Sequence, residues 1–196
     1  LLYPVLERLR GRLFRSFTTN GQGLDRAWSD VVAAAPDKVH VSIHFPGSRA
    51  EVARVVDQVG RLARVGIRSG VNLLVMRGHL DDAASAVRVL HASGIDNRRI
   101  VYLPMRGPNA DTPSASELVR VAGGPFQSMT CLERCAPSPR FVAIGWDRTV
   151  AHCSYTTARR RLAAPTHRAL TEATVDLGLT FCGDAHDGLV RLSRRP

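Results

Sequence analysis

Four cysteines lie in the last third of the chain and could hold a metal centre together. Cys131 and Cys135 are one helical turn apart, which would let both thiolates face one metal, and Cys153 and Cys182 follow in later segments. Four thiolates suit an iron–sulfur cluster or a structural zinc ion, and two disulfides would form in an oxidising compartment. The tight CxxC pairs of zinc sites are missing from the sequence. The pattern therefore favours a cluster, with zinc, disulfides and simply packed thiols as alternatives.

A second set of side chains follows four predicted strands, at the point where each strand ends. In the stretch VHVSIHFPGS, Ser42 and His44 alternate with apolar residues, so they share one face of a strand. Ligands bind at the carboxyl ends of parallel strands, so this rim is a predicted ligand site. Taken singly, an Asn or Ser at a strand end is more often a turn or helix cap, and a strand-end His is more often a structural group. A site is favoured because several such residues follow four consecutive strands. The rim residues are Thr18, Thr19, Asn20, Ser42, His44, Asn72, Met105 and Arg106.

Strands and helices alternate along the first two thirds of the chain. Near-continuous apolar strands separated by helices indicate right-handed βαβ units and a buried parallel sheet, in either a barrel or an open sheet. Ser48 is the predicted N-cap of the helix that begins at Arg49. The predicted strands are 14–19, 39–45, 67–76 and 99–105, and the predicted helices are 24–34, 49–65, 80–92 and 114–121.

The character of the chain changes at Pro125. Two β-like runs, 140–144 and 149–155, surround a turn and predict a hairpin, and a helix is predicted over 165–175. The sequence thus predicts a core domain over 1–124 and a cysteine-containing appendage over 125–196.

Composition limits the classes of function. The chain has 196 residues, 44% of them apolar, and a net charge of +10. Lys38 is the only lysine, and arginine without interleaved aromatic residues is more typical of a GC-rich coding bias than of a nucleic-acid site. No apolar run has the roughly 18 residues of a membrane span. We therefore expect a cytoplasmic protein with no membrane or nucleic-acid partner.

Several stretches in this order resemble a known family. LLYP at the start, then TTNG, VSIHFPG, GVNLLVM and IVYLPMRG resemble the second half of the core barrel of radical S-adenosylmethionine (radical SAM) enzymes, over about 1–107. The cysteines over 131–182 look like the auxiliary-cluster appendage called SPASM or twitch. Cys135, Gly145 and Cys153 resemble its signature, although the seven residues between Gly145 and Cys153 are a wider spacing.

The resemblance implies an α/β fold with a partial (β/α) TIM-type barrel of four parallel strands, followed by a small hairpin-containing, cysteine-rich tail. It also implies a [4Fe-4S] cluster that reductively cleaves S-adenosylmethionine to a 5′-deoxyadenosyl radical. A small molecule or a peptide would be the substrate, and flavodoxin or ferredoxin the reductant. The family's CxxxCxxC and GGE motifs are missing from this sequence. We therefore expect a fragment that cannot catalyse the reaction unaided, or else a non-catalytic binding module derived from a truncated barrel.

The rim residues match family positions one by one. Thr19 and Asn20 match the group lining the methionine side of the cofactor, and Ser42 matches the group that hydrogen-bonds the ribose. Asn72 matches a position near the ribose and carboxylate. The strand that borders adenine is matched by Met105 and Arg106, and His44 is a candidate to face substrate. The cluster ligands would be Cys131, Cys135, Cys153 and Cys182.

Overall fold

The computed structural model describes residues 2–105, 111–128, 142–154 and 156–178. These residues form two compact units. The first contains the described residues up to 128, and the second contains those from 142 onward.

The first unit is an α/β structure with one parallel sheet. Its elements are α1 (Leu2–Arg8), β1 (Ser16–Thr19), α2 (Trp28–Ala34), β2 (Lys38–Ile43), α3 (Arg49–Arg64), β3 (Arg68–Val75), α4 (Leu80–Ala92), β4 (Ile100–Pro104), α5 (Ala115–Ala122) and β5 (Gln127–Ser128). The strand order is β1-β2-β3-β4-β5, and all four pairings are parallel. The predicted α/β class with a parallel sheet is confirmed.

The sheet has one strand more than the sequence predicted. β5 consists of two residues, Gln127 and Ser128, which pair with Val101 and Tyr102 of β4. A strand this short carries no recognisable alternation of apolar and polar residues, so its sequence gives no signal.

Alternate residues of the central strands form the core. Val39, Val41 and Ile43 of β2 are fully buried, as are Val71, Leu73 and Val75 of β3. α3 packs on both strands and buries an apolar stripe of Val52, Val55, Val59 and Leu62. Each such side chain contributes about 1.5–3 kcal/mol by leaving water. Because strand side chains alternate, the remaining residues of β2 and β3 lie on the opposite face.

Two helices begin with side-chain caps. Ser48 accepts a hydrogen bond from the Glu51 amide at the start of α3, as predicted. Ser114 and Glu117 form a reciprocal capping box at the start of α5. Each cap satisfies amides that the first helical turn leaves without partners, which contributes about 1 kcal/mol.

The second unit contains a small antiparallel sheet and one helix. Its strands are β6 (Ala143–Ile144), β7 (Thr149–Ala151) and β8 (Arg160–Arg161), and the helix is α6 (His167–Thr174). The predicted hairpin is confirmed, since β6 pairs antiparallel with β7. β8 was not predicted. Among the helices of the described ranges, none has the length and apolar character needed to cross a membrane.

Candidate site at the carboxyl ends of the parallel strands

One face of the parallel sheet carries a row of polar side chains. Thr18 of β1 is in register with His40 of β2, which is in register with Gly70 of β3. Ser42 is in register with Asn72 two residues further along the same strands. Paired residues of a parallel sheet point to the same side, so Thr18, His40, Ser42 and Asn72 share one face, called here the polar face.

A hydrogen bond joins β1 and β3 across the polar face. The Asn72 amide nitrogen Nδ2 lies 3.4 Å from Thr18 Oγ1, and the Asn72 side chain is near enough to the His40 ring to raise its pKa. Burial is the main cause that lowers the pKa of His40, and the positive charge of Lys38 lowers it further, while the Asn72 side chain opposes both effects. A lowered pKa favours the neutral imidazole, which can donate one hydrogen bond and accept another.

Ser42 is the most buried of the four polar-face residues. Its exposed fraction is 4%. Its hydroxyl forms no hydrogen bond with a side chain or backbone group in the part of the chain that the structure describes. A hydroxyl in such a place gains a partner when a polar ligand binds beside it. Because Asn72 lies beside Ser42 in register, the two side chains offer adjacent hydroxyl and amide groups to one ligand.

Glu51 holds the loop that follows Ser42. Its carboxylate oxygens accept hydrogen bonds from the backbone amides of His44, at 2.9 Å, and Phe45, at 3.1 Å. The loop backbone is thereby fixed to the first turn of α3. The His44 side chain is exposed at this loop, so it lies at the rim, as predicted.

The loop after β1 is held by two side chains of α3. Arg54 Nη1 donates to the Asn20 carbonyl oxygen at 3.0 Å, and Gln58 Nε2 donates to the Gly21 carbonyl oxygen at 2.9 Å. Gly21 has a φ of +77°, and a Cβ there would lie 2.9 Å from Val41. Only glycine fits both the left-handed backbone and this close approach. The TTNG stretch therefore owes its glycine to the left-handed turn and to its close packing on Val41 of β2.

Thr19 and Asn20 have local roles at this turn. Thr19 is in register with Val41, which places its side chain on the helix-covered face, and its Oγ1 accepts from the Gly21 amide at 3.1 Å. Asn20 Oδ1 accepts from the Gln22 amide at 3.1 Å. It is the neighbouring residue, Thr18, that contacts Asn72 on the polar face.

Met105 is exposed at the end of β4, and its amide donates to the Val75 carbonyl oxygen at 2.8 Å. Arg106 lies outside the described residues. Of this predicted pair, the structure therefore locates only Met105.

The predicted cluster ligands are described in part. Cys131, Cys135 and Cys182 lie outside the described residues. Cys153 is half-buried just after β7. Beside it, Nδ1 of His152 is buried and makes no hydrogen bond to a described residue, so it is a nitrogen that could bind a metal ion. Within the described ranges, no group of three His, Cys, Asp or Glu side chains could hold a metal ion, so the cluster stays a prediction.

The sequence interpretation missed His40 as a member of the polar face. The signal was present in VHVSIHF, because His40, Ser42 and His44 alternate with apolar residues. The completed face offers hydroxyl, amide and imidazole groups side by side, which suits a ligand rich in hydroxyl or amine groups. No protein-family model and no curated protein matches this chain.

Proposed function

We propose that this chain is part of a radical SAM enzyme and that the polar face binds S-adenosylmethionine. The pairing of Ser42 with Asn72 at the carboxyl ends of β2 and β3 carries the proposal. In this family a [4Fe-4S] cluster supplies the electron that cleaves S-adenosylmethionine, and the substrate then loses a hydrogen atom.

The strand order supports a partial (β/α) TIM-type barrel. Each strand lies next to the strand that follows it in sequence, from β1 to β5. Barrels add their strands in this order, whereas doubly wound sheets reverse direction at a switch point. The buried valines of β2 and β3 on one side and the polar face on the other agree with a barrel wall that has helices outside.

The chemistry of the polar face supports a ribose-bearing ligand. A ribose presents hydroxyls that both donate and accept hydrogen bonds. Ser42 Oγ has no other described partner, and the Asn72 amide can donate and accept at once. Thr18 and neutral His40 complete the donors and acceptors beside them. We propose that Ser42 and Asn72 orient the ribose and that His44 faces the substrate, a small molecule or a peptide.

The residues of this chain do not fit the cluster that binds S-adenosylmethionine, because the sequence contains no CxxxCxxC motif. That cluster would need ligands from outside these 196 residues. A second cluster on Cys131, Cys135, Cys153 and Cys182, with flavodoxin or ferredoxin as reductant, belongs to the same proposal.

A non-catalytic binding module is the alternative. The missing CxxxCxxC and GGE motifs favour it, because a barrel without them could still bind a nucleoside on the polar face. Both proposals predict binding of S-adenosylmethionine, and only the enzyme predicts its cleavage.

The decisive experiment uses the polypeptide encoded with any in-frame sequence upstream of Leu1, reconstituted anaerobically with iron and sulfide. We expect 5′-deoxyadenosine to form from S-adenosylmethionine when dithionite is added. Ser42→Ala and Asn72→Ala should each lower kcat/KM about tenfold, since each removes one or two hydrogen bonds to a polar ligand. Ser85→Ala, at an exposed position of α4, is the matched control. Binding without cleavage would favour the module, and neither binding nor cleavage would reject both proposals.

A further inference from the structure

A basic cleft lies at the amino-terminal edge of the parallel sheet, the edge opposite the rim. Its volume is about 600 Å³. Its lining includes Phe14, Lys38, His40, Arg68, Arg98 and Arg99. Among the described residues, no aspartate or glutamate lines it. Four cationic side chains around one concave surface create a local positive potential.

Three of the four cations have no acidic partner. Arg98 is paired with Asp96 at 2.7 Å, and the nearby carboxylate of Asp37 is paired with Arg15 at 3.0 Å. Lys38, Arg68 and Arg99 form no ion pair with any acid in the described ranges. Their charges are therefore available to an anion from solution.

Arg99 is held in place by neutral groups. Its Nε donates to the Ser69 carbonyl oxygen at 3.0 Å, and Nη2 donates to Ser69 Oγ at 3.2 Å. Ser69 Oγ itself donates to the Val59 carbonyl oxygen of α3 at 3.0 Å. These bonds fix the guanidinium without neutralising its charge. A fixed guanidinium with unused N–H groups is suited to phosphate oxygens.

An aromatic ring lies beside the charges. Phe14 is 61% exposed, and the guanidinium of Arg68 lies 5.3 Å from its ring centroid. An exposed ring next to an arginine offers a flat surface on which a nucleobase can stack. The cleft thus combines cations for a phosphate with a surface for a planar ring.

We propose that this cleft binds a phosphate-bearing small molecule of nucleotide size, with its phosphate at Lys38 and Arg99 and its planar ring at Phe14. A volume of about 600 Å³ lies within the roughly 300–1,000 Å³ of small-molecule sites. The lowered pKa of His40, caused first by burial and then by Lys38, agrees with a positive potential here. The groups that would hold this ligand, Lys38, Arg99 and Phe14, are not among the four polar-face residues, so this site does not depend on the radical SAM proposal, although His40 borders both places.

The first test uses the fact that Lys38 is the only lysine. Modification of its amine by an acylating reagent can be followed by mass spectrometry of the peptide that contains it. We expect adenosine 5′-monophosphate at about 5 mM to slow this modification at least about fivefold. Inorganic pyrophosphate should slow it less, and adenosine should leave the rate unchanged. Equal protection by adenosine, or no protection by either phosphate compound, would overturn the proposal.

The second test measures affinity for adenosine 5′-monophosphate by equilibrium dialysis. Lys38→Gln and Arg99→Gln should each weaken binding about tenfold, as expected for the loss of a charge-assisted hydrogen bond. Phe14→Leu should weaken binding of the nucleotide but not of pyrophosphate. Lys38→Gln keeps the test valid if Arg99→Gln fails to fold.

Arg88→Gln is the matched control, because Arg88 is exposed on α4 and does not line the cleft. An equal loss of affinity in Arg88→Gln and Lys38→Gln would show diffuse charge attraction and overturn the site. Polyuridine is the test for an RNA strand. If it binds more than about a hundredfold tighter than the nucleotide, and Phe14→Leu weakens that binding, the cleft is assigned to an RNA strand instead.

Discussion

The imidazole of His40 lies directly against Gly70. A Cβ at residue 70 would come 2.7 Å from His40 Nε2 and 2.4 Å from the Arg99 carbonyl oxygen. The two residues are paired on neighbouring strands. The polar face can therefore hold a half-buried imidazole because its neighbour has no side chain.

We expect Gly70→Ala to lower the free energy of unfolding by about 2–3 kcal/mol. The Arg99 carbonyl oxygen cannot move away easily, since it accepts a hydrogen bond from the Val71 amide at 2.8 Å. Urea unfolding can be followed by the fluorescence of Trp28, which packs 4.2 Å from the Arg61 guanidinium. Trp146 is 98% exposed and should contribute little change. An unchanged urea midpoint would contradict the close approach.

Gly60→Ala is the matched substitution, and we expect it to raise the free energy of unfolding. Gly60 lies inside α3, and a Cβ there would contact only the end of the flexible Arg64 side chain, at 3.6 Å. Alanine in a helix interior is more favourable than glycine by roughly 0.5–1 kcal/mol. The same fluorescence measurement should show a higher urea midpoint. A loss of stability would show that α3 has no room at this position.

His40 should make stability depend on pH. Its folded pKa is lowered, so as pH falls through the ordinary value of about 6.5, the unfolded chain takes up the proton first. Stability should be highest above that value and should fall as pH drops below it, until the folded state also takes up the proton. Urea unfolding at a series of pH values from about 7.5 to about 5 tests this.

His40→Gln should flatten the dependence of the free energy of unfolding on pH between about 7.5 and about 5, because glutamine does not titrate. His44→Gln is the control, since the His44 side chain is exposed at the rim. If both variants keep the slope of the parent protein, another group causes it.

The predicted iron–sulfur cluster can be tested directly on this chain. After anaerobic purification we expect about four iron atoms per chain with equivalent sulfide, and Cys153→Ala should lose them. Ser154→Ala, at the exposed neighbouring position, should retain them. Stoichiometric zinc, or four titratable thiols without metal, would reject the cluster.

The sequence predicted the central elements well because several signals agree there. α3 has a serine cap, a regular apolar stripe and a length typical of helices, so propensity and pattern point to one structure. β5 and β8 have two residues each, and their pairing depends on strands distant in sequence. Nothing local could have predicted them.

The sequence predicted a set of rim residues but not how they are arranged across the strands. Thr18 and Thr19 were both predicted at the rim, but alternation along one strand does not reveal which of the two faces Asn72; it is Thr18. That distinction depends on the register between strands, which tertiary packing sets. The local bond of Thr19 to the Gly21 amide is the kind of turn contact that competes with a ligand role.

Arg15 connects the ends of two helices to the start of the sheet. Its exposed fraction is 6%. Nη1 donates to the carbonyl oxygens of Leu6 and Ala34, both at 2.9 Å, and Nη2 donates to that of Ala35 at 2.6 Å. Nε pairs with Asp37 at 3.0 Å. Only a guanidinium has a planar fork that reaches all these acceptors.

We expect Arg15→Lys to lower the free energy of unfolding by about 2–4 kcal/mol, because a single ammonium group leaves buried carbonyl oxygens without donors. Arg98→Lys is the control: Arg98 is 90% exposed in its pair with Asp96, so its change should cost no more than about 0.5 kcal/mol. Urea unfolding followed by Trp28 fluorescence compares the two. The Asp37 carboxylate keeps its hydrogen bond from the Arg15 backbone amide in both variants, so a large difference reports the lost fork. Equal, small losses would mean that the buried guanidinium can be replaced by any cation.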